Sequence, residues 1–188
     1  MSRTPGIGAR RIRTVVVVAA LHVGGALAAS APIAPAIRPC DVALNVEDPD
    51  PAGPNIREAP RRDARIVSAL KPAGEWITVH VTGQSGDWAR IDRAVAVDDA
   101  AESGERTVFR DVGWVHLRLL GIGSLFVGGG TELRSAPMPG APVVFRLGSD
   151  DAQSVRVLAC SGDYIRVRYG ERIGWTRHWC NNERTSCN

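Results

Sequence analysis

Apolar and polar residues alternate along this chain in short bursts. Over residues 76–81, Trp, Thr and His take turns with Ile, Val and Val. A period of two puts successive side chains on opposite faces, so this stretch predicts a half-buried strand. The same alternation starts at Trp88-Ala89-Arg90-Ile91, and further strands are expected over 66–70 and at Gly113-Trp114-Val115. The pattern returns over 143–147, 155–158, 164–169 and 173–177. Gln84-Ser85-Gly86-Asp87, Ser161-Gly162-Asp163 and Gly170-Glu171 lie between strands and suit tight turns that join antiparallel neighbours. Pro49, Pro51 and Pro54 rule out a helix over 47–54. Many short strands with Gly/Asp turns predict an all-β chain built as a small barrel or sandwich.

The strands come in two sets. Asn55-Ile56-Arg57-Glu58-Ala59-Pro60 is matched by Glu132-Leu133-Arg134-Ser135-Ala136-Pro137. Gly86-Asp87-Trp88-Ala89-Arg90-Ile91 is matched by Gly162-Asp163-Tyr164-Ile165-Arg166-Val167, and Gly113-Trp114 by Gly174-Trp175. The offset is 77 at the arginines (134 − 57) and 76 at the aromatics (164 − 88). A constant offset with conserved order predicts two copies of one small domain. The copies are placed at 46–120 and 131–180, with a glycine-rich linker over 121–130 and an extension over 181–188. From Trp88 to Trp114 the chain runs 26 residues, from Tyr164 to Trp175 only 11, so the first copy carries 15 more (26 − 11). These fall around 94–110 and are expected as a long loop, either a solvated extension or a recognition loop.

The chain opens with features of a targeting segment. Arg10-Arg11-Ile12-Arg13 precedes an apolar run from Val15 to Ala28, and Ala26-Leu27-Ala28 has the small-x-small form of a cleavage site. Residues 1–28 therefore read as a secretory signal peptide. The run is shorter than the ~20 residues that a membrane span needs. The protein is thus expected to be exported, periplasmic or secreted, with no stable membrane span after cleavage. Residues 29–45, Ala- and Pro-rich at their start, are expected as a flexible lead-in.

Charge then looks different. The formal net charge is +3, but residues 1–31 hold four arginines and no acid. Of 23 basic residues 19 remain (23 − 4), against 20 acidic ones. No basic stripe is left to suggest nucleic acid.

Four cysteines follow the leader: Cys40, Cys160, Cys180 and Cys187. An even count in an exported chain favours disulfides. In each of the three possible connectivities Cys40 pairs with a cysteine of the second copy or of the extension that follows it. One bridge then staples the entry of the first copy to the second, and the pairs stay open. A zinc site is not expected, since the chain has no Cys-x-x-Cys and His178 beside Cys180 supplies too few ligands.

The chain resembles the bacterial SH3-type domains of exported proteins. The resemblance rests on Asn55-Ile56-Arg57-Glu58-Ala59-Pro60, Gly86-Asp87-Trp88 and Gly113-Trp114-Val115 in the first copy. In the second it rests on Leu133-Arg134-Ser135-Ala136-Pro137, Gly162-Asp163-Tyr164 and Gly174-Trp175-Thr176. It covers roughly residues 46–180 and implies two tandem SH3-like β-barrels. It also implies a non-catalytic module that binds cell-wall peptide or another envelope protein. The alternative is a structural or assembly module of an envelope complex without affinity for the wall.

Candidate binding residues are Trp88 and Tyr164, which stand at matched strand starts beside a Gly-Asp turn, together with Trp76 and Tyr169. Rigid aromatics offer contact area at low entropic cost. The same rings could equally plug a barrel, as is expected of Trp114 and Trp175. Tyr169 and Trp179 lack counterparts in the first copy and are expected to be exposed or to pack on the extension. Arg57 and Arg134 recur in the opening strand and could fork a carboxylate ligand, although an internal pair with Asp87 or Asp163 is preferred. Catalysis, a metal and a cofactor are not expected. The cysteines are expected in bridges, which leaves Cys180, two residues after His178, unsuited as a nucleophile, and Gly128-Gly129-Gly130 lacks the Lys-Ser/Thr of a phosphate loop.

Overall fold

The computed structural model describes residues 36–97, 104–125, 127–128, 130–148 and 155–181. The signal peptide expected over 1–28 and residues 98–103 of the expected loop lie outside the described residues, as do Cys187 and almost all of the 181–188 extension.

The protein is all-β. Among the described residues, thirteen strands form two antiparallel sheets, and the remaining regular element is one 3₁₀ turn at Leu117–Leu119. The first sheet holds β1 (Arg38–Val46), β2 (Asn55–Arg57), β3 (Ile66–Ala69), β4 (Trp76–Ser85), β5 (Trp88–Val97), β6 (Glu105–Phe109), β7 (Gly113–His116) and β8 (Leu120–Gly121). The second holds β9 (Thr131–Arg134), β10 (Val143–Leu147), β11 (Val155–Ser161), β12 (Tyr164–Tyr169) and β13 (Arg172–Thr176).

The duplication is visible in the pairing. The second sheet runs β10-β9-β13-β12-β11, and β3-β2-β7-β5-β4 in the first follows the same order of matched strands. Even the register agrees, since Arg57 lies opposite Trp114 and Arg134 opposite Trp175. The turns agree as well. Ser85 pairs with Trp88 and Ser161 with Tyr164, each around a Gly-Asp pair whose glycine has φ of 56° or 55°. A two-residue hairpin of this kind needs a residue that accepts positive φ at its first central position, and glycine does so without a Cβ clash.

Three expectations are corrected. Residues 38–45 of the supposed lead-in belong to β1, which pairs along β4 and at its end with β8. Val42 and Leu44 point inward and Asp41 outward, so β1 buries an apolar face. The supposed loop over 94–110 is largely a ribbon. Ala94 to Val97 extend β5 and pair with β6, Ala94 opposite Phe109 and Val97 opposite Glu105. Alternate burial along β5 explains this, because Ala94 and Ala96 join the core while their neighbours face out. The linker over 121–130 is also partly structural, with Ile122 and Leu125 buried.

Both sheets belong to one compact unit. Their buried side chains form one continuous cluster, from Leu44, Val79 and Ile91 in the first sheet to Leu133, Ile165 and Val167 in the second. The Cys40–Cys160 disulfide spans 120 residues and joins β1 to β11. Beside it Asp41 N donates to Gly162 O (2.8 Å), and Gly162 N donates to Pro39 O (3.0 Å). The Gln84 Oε1 accepts from the buried Cys160 N at 2.8 Å. At the far end Ser124 and Cys180 exchange backbone bonds, and the Trp179 indole N–H reaches Ala43 O at 3.2 Å. Cys180 is disulfide-bonded too.

Candidate functional site

Each repeat presents a cleft, and these two clefts lie at matched places. In the first repeat it is built from β2, the segment after it, the start of β5 and the end of β7. Arg57, Arg62, Trp88, His116 and Arg118 line it, with a volume of about 380 Å³. In the second it is built from β9, the segment after it, the start of β12 and the end of β13. Arg134, Pro139, Tyr164 and Arg177 line that cleft, of about 300 Å³. Alternation in β2 and β9 sets the arrangement. Ile56 and Leu133 turn into the core, which leaves Asn55 with Arg57, and Glu132 with Arg134, facing the cleft.

The arginines are fixed by their own repeats. Arg57 Nη1 donates to Ala64 O at 2.7 Å, and Arg134 Nη1 donates to Ala141 O at 2.8 Å. The expected pairs with Asp87 and Asp163 are not made. Those acids sit in exposed hairpin turns, whereas the carbonyls seven residues along each arginine's own loop lie within reach. Arg134 also meets the carboxylate of Glu132, which binds Arg146 as well.

The aromatics differ more than their matched positions suggest. Trp88 is half-buried, and its ring meets that of His116 at 5.2 Å between centroids, tilted by 53°. Tyr164 is buried. His116 Nδ1 accepts from Arg118 N at 3.3 Å. Its pKa is lowered, first by burial and then by the Arg118 charge, with Asp87 opposing and Arg62 adding slightly. His116 therefore stands in the first cleft as a neutral ring at pH 7.

The remaining candidates fall elsewhere. Trp76 is half-buried at the start of β4, opposite Val97, and lines neither cleft. Tyr169 is a correction: it is buried, not exposed, and packs on Phe145 at 6.1 Å, with Arg172 over the other ring. It ends β12, at the opposite end from Tyr164, and fills the second sheet's core.

The sequence reading missed Arg62, His116, Arg118 and Arg177 in the clefts. A signal existed for two of them, because His116 and Arg177 each stand two residues after the Trp of the Gly-Trp pair. It also missed His80 on the first sheet. There Nε2 lies 2.9 Å from Asp41 Oδ1 and Nδ1 lies 2.8 Å from Asp92 Oδ1. The hydrogen bond to Asp41 is the main cause that raises the His80 pKa; partial burial works against it, and Asp92 adds to the rise.

Among the described residues no group of three or more His, Cys, Asp or Glu side chains is placed to hold a metal ion. No helix among them is long and apolar enough to cross a membrane. No family model matches this chain, and no curated protein or solved structure is significantly similar to it.

Proposed function

We propose that this chain is an exported, non-catalytic binding protein of the bacterial SH3 type. Its ligand is a cell-wall peptide or a segment of another envelope protein. The observation that carries the reading is the coincidence of the two clefts. Four of the six residues singled out for binding, Arg57 with Trp88 and Arg134 with Tyr164, meet in them two by two. A concave site with an aromatic wall and a few convergent polar groups suits a small ligand or peptide.

Two further features support the reading. The shared strand order gives the repeated Asn/Arg, Gly-Asp and Gly-Trp motifs matched structural positions, in keeping with a tandem family domain. Cys40 and Cys160 are committed to a disulfide, which favours an oxidising compartment and removes both as thiol nucleophiles.

Sedimentation with purified peptidoglycan tests the proposal. The purified chain is expected in the pellet with wall material and in the supernatant without it. A chain that stays in the supernatant but co-purifies with an envelope protein would favour the assembly module instead.

A further inference from the structure

The clefts match in position and in net lining charge, +1 each (3 − 2 in the first, and Arg134 with Arg177 against Glu132, 2 − 1, in the second), but they arrange that charge differently. At one matched site the first has Asn55 and the second Glu132, 77 residues on (132 − 55). The Glu132 carboxylate binds Arg134, so the second cleft carries its own counter-ion. Arg57 is different: among the described residues it makes no ion pair, and neither do Arg62 and Arg118. All three arginines are among the residues that line the first cleft, with Trp88 and His116. Asp48 and Asp50 share the rim, where their carboxylates accept backbone N–H bonds from Asp50 and Ala52. Three cations against two carboxylates leave an excess of one positive charge (3 − 2).

We propose that the first cleft binds the free carboxylate of a peptide, held by Arg57, Arg62 and Arg118 with its neighbouring side chain on Trp88, and that Glu132 keeps the second cleft from doing so. The inference rests on the binding reading above and names the chemical class of its ligand. A guanidinium presents two parallel N–H donors that match a carboxylate, and charged hydrogen bonds of this kind are the stronger ones. One excess positive charge suits a monoanion better than a phosphate dianion, which would also meet Asp48 and Asp50. The indole adds rigid area beside the charge. In the second cleft an incoming anion would face Glu132 before it could displace it, and like charges brought together oppose binding.

The test is an NMR titration of the ¹⁵N-labelled chain with N-acetyl-Ala-Ala, its C-terminal amide and inorganic phosphate. The acid is expected to shift resonances of the first cleft, among them the Trp88 indole N–H, with the amide and phosphate each at least about tenfold weaker. The Asn55→Glu substitution gives Arg57 an internal counter-ion and is expected to weaken the acid by about tenfold. Asn55 is exposed, so fold is retained, and unchanged dispersion of the spectrum checks it. The reciprocal Glu132→Asn is expected to bring acid-dependent shifts to the second cleft. Equal binding of acid and amide, or an Asn55→Glu chain that binds like the parent, overturns the assignment. If the chain sediments with wall material yet binds acid and amide alike, the wall reading stands and the carboxylate site falls. If the acid is preferred and the wall is not bound, the site stands and the wall reading falls.

Discussion

Arg57 and Arg134 perform one task twice. Each sends Nη1 to a backbone carbonyl seven residues on, Ala64 O at 2.7 Å and Ala141 O at 2.8 Å. The acceptor residues are themselves buried, so each bond pins a loop against the core. The cleft wall depends on that pin. Arg57→Ala is expected to destabilise the fold by ~1.5–3 kcal/mol, the range for a hydrogen bond from a charged group. Arg57→Lys should recover only part, because an ammonium lacks the fixed fork. Urea unfolding of the two variants checks both values.

Gly113 and Gly174 answer a second matched demand. A Cβ at Gly174 would sit 2.7 Å from Leu133 Cβ and 3.1 Å from Val144 Cγ2. One at Gly113 would collide with Ile56 Cγ2. The Gly-Trp motif therefore exists so that β7 and β13 can pass the buried residue of β2 and β9. Gly174→Ala is expected to cost ~1–3 kcal/mol through overpacking. Gly113→Ala meets the γ-methyl of the buried, β-branched Ile56, which has little room to turn away, and should cost at least as much. In combination with Ile56→Ala, which removes the Cγ2 methyl, the Gly113→Ala penalty should shrink, a coupling that thermal melts of the single and double variants will show.

The disulfide and its neighbour are separable. Cross-linking residues 120 apart removes chain entropy from the unfolded state, worth ~4–5 kcal/mol on the loop-closure model. Cys40→Ser with Cys160→Ser is expected to lose up to about that amount in urea unfolding. Gln84→Ala should lose ~1–3 kcal/mol without touching the bridge, since it leaves the buried Cys160 N–H without its acceptor. Adding a reductant should lower the midpoint of the parent chain by more than that of the double serine variant, which still carries the bridge at Cys180.

Two histidines give opposite pH signatures. His80 takes a raised pKa, chiefly from its hydrogen bond to Asp41. The folded state thus binds its proton more tightly than the unfolded one, whose pKa is near 6.5. Its contribution is complete below that value and is lost as pH rises through the folded pKa. His116 has a lowered pKa, chiefly from burial, so its contribution is present above 6.5 and is lost as pH falls through its folded pKa. His80→Asn should flatten the decline of stability on the alkaline side. His116→Asn should flatten the decline on the acid side. Unfolding midpoints measured from pH 5 to 8 distinguish the two.

Much of the fold was legible because strand alternation and Gly-Asp turns are local. The period-two pattern from Trp76 and from Tyr164 lies inside β4 and β12, and the two-residue turns at Gly86 and Gly162 fall where expected. The lead-in misled because its Ala/Pro-rich start masks the alternation of Cys40, Val42 and Leu44 just beyond it. The 94–110 segment misled because the acidic residues in the middle of its sequence hide the alanines that extend β5. The cleft was half legible. Arg57 and Trp88 could be picked by their recurrence, but Arg62 and Arg118 recur nowhere and come close only through the fold. Tyr169 was misread because it has no counterpart in the first copy, a fact about sequence that says nothing of burial.

The claim that the first cleft carries binding is tested most directly by peptidoglycan sedimentation of Trp88→Ala beside Trp76→Ala. Both remove a half-buried indole from the first sheet, but only Trp88 lines a cleft. The account predicts that Trp88→Ala leaves the pellet while Trp76→Ala still sediments like the parent. Equal retention of the two variants, or selective loss of Trp76→Ala, would contradict it.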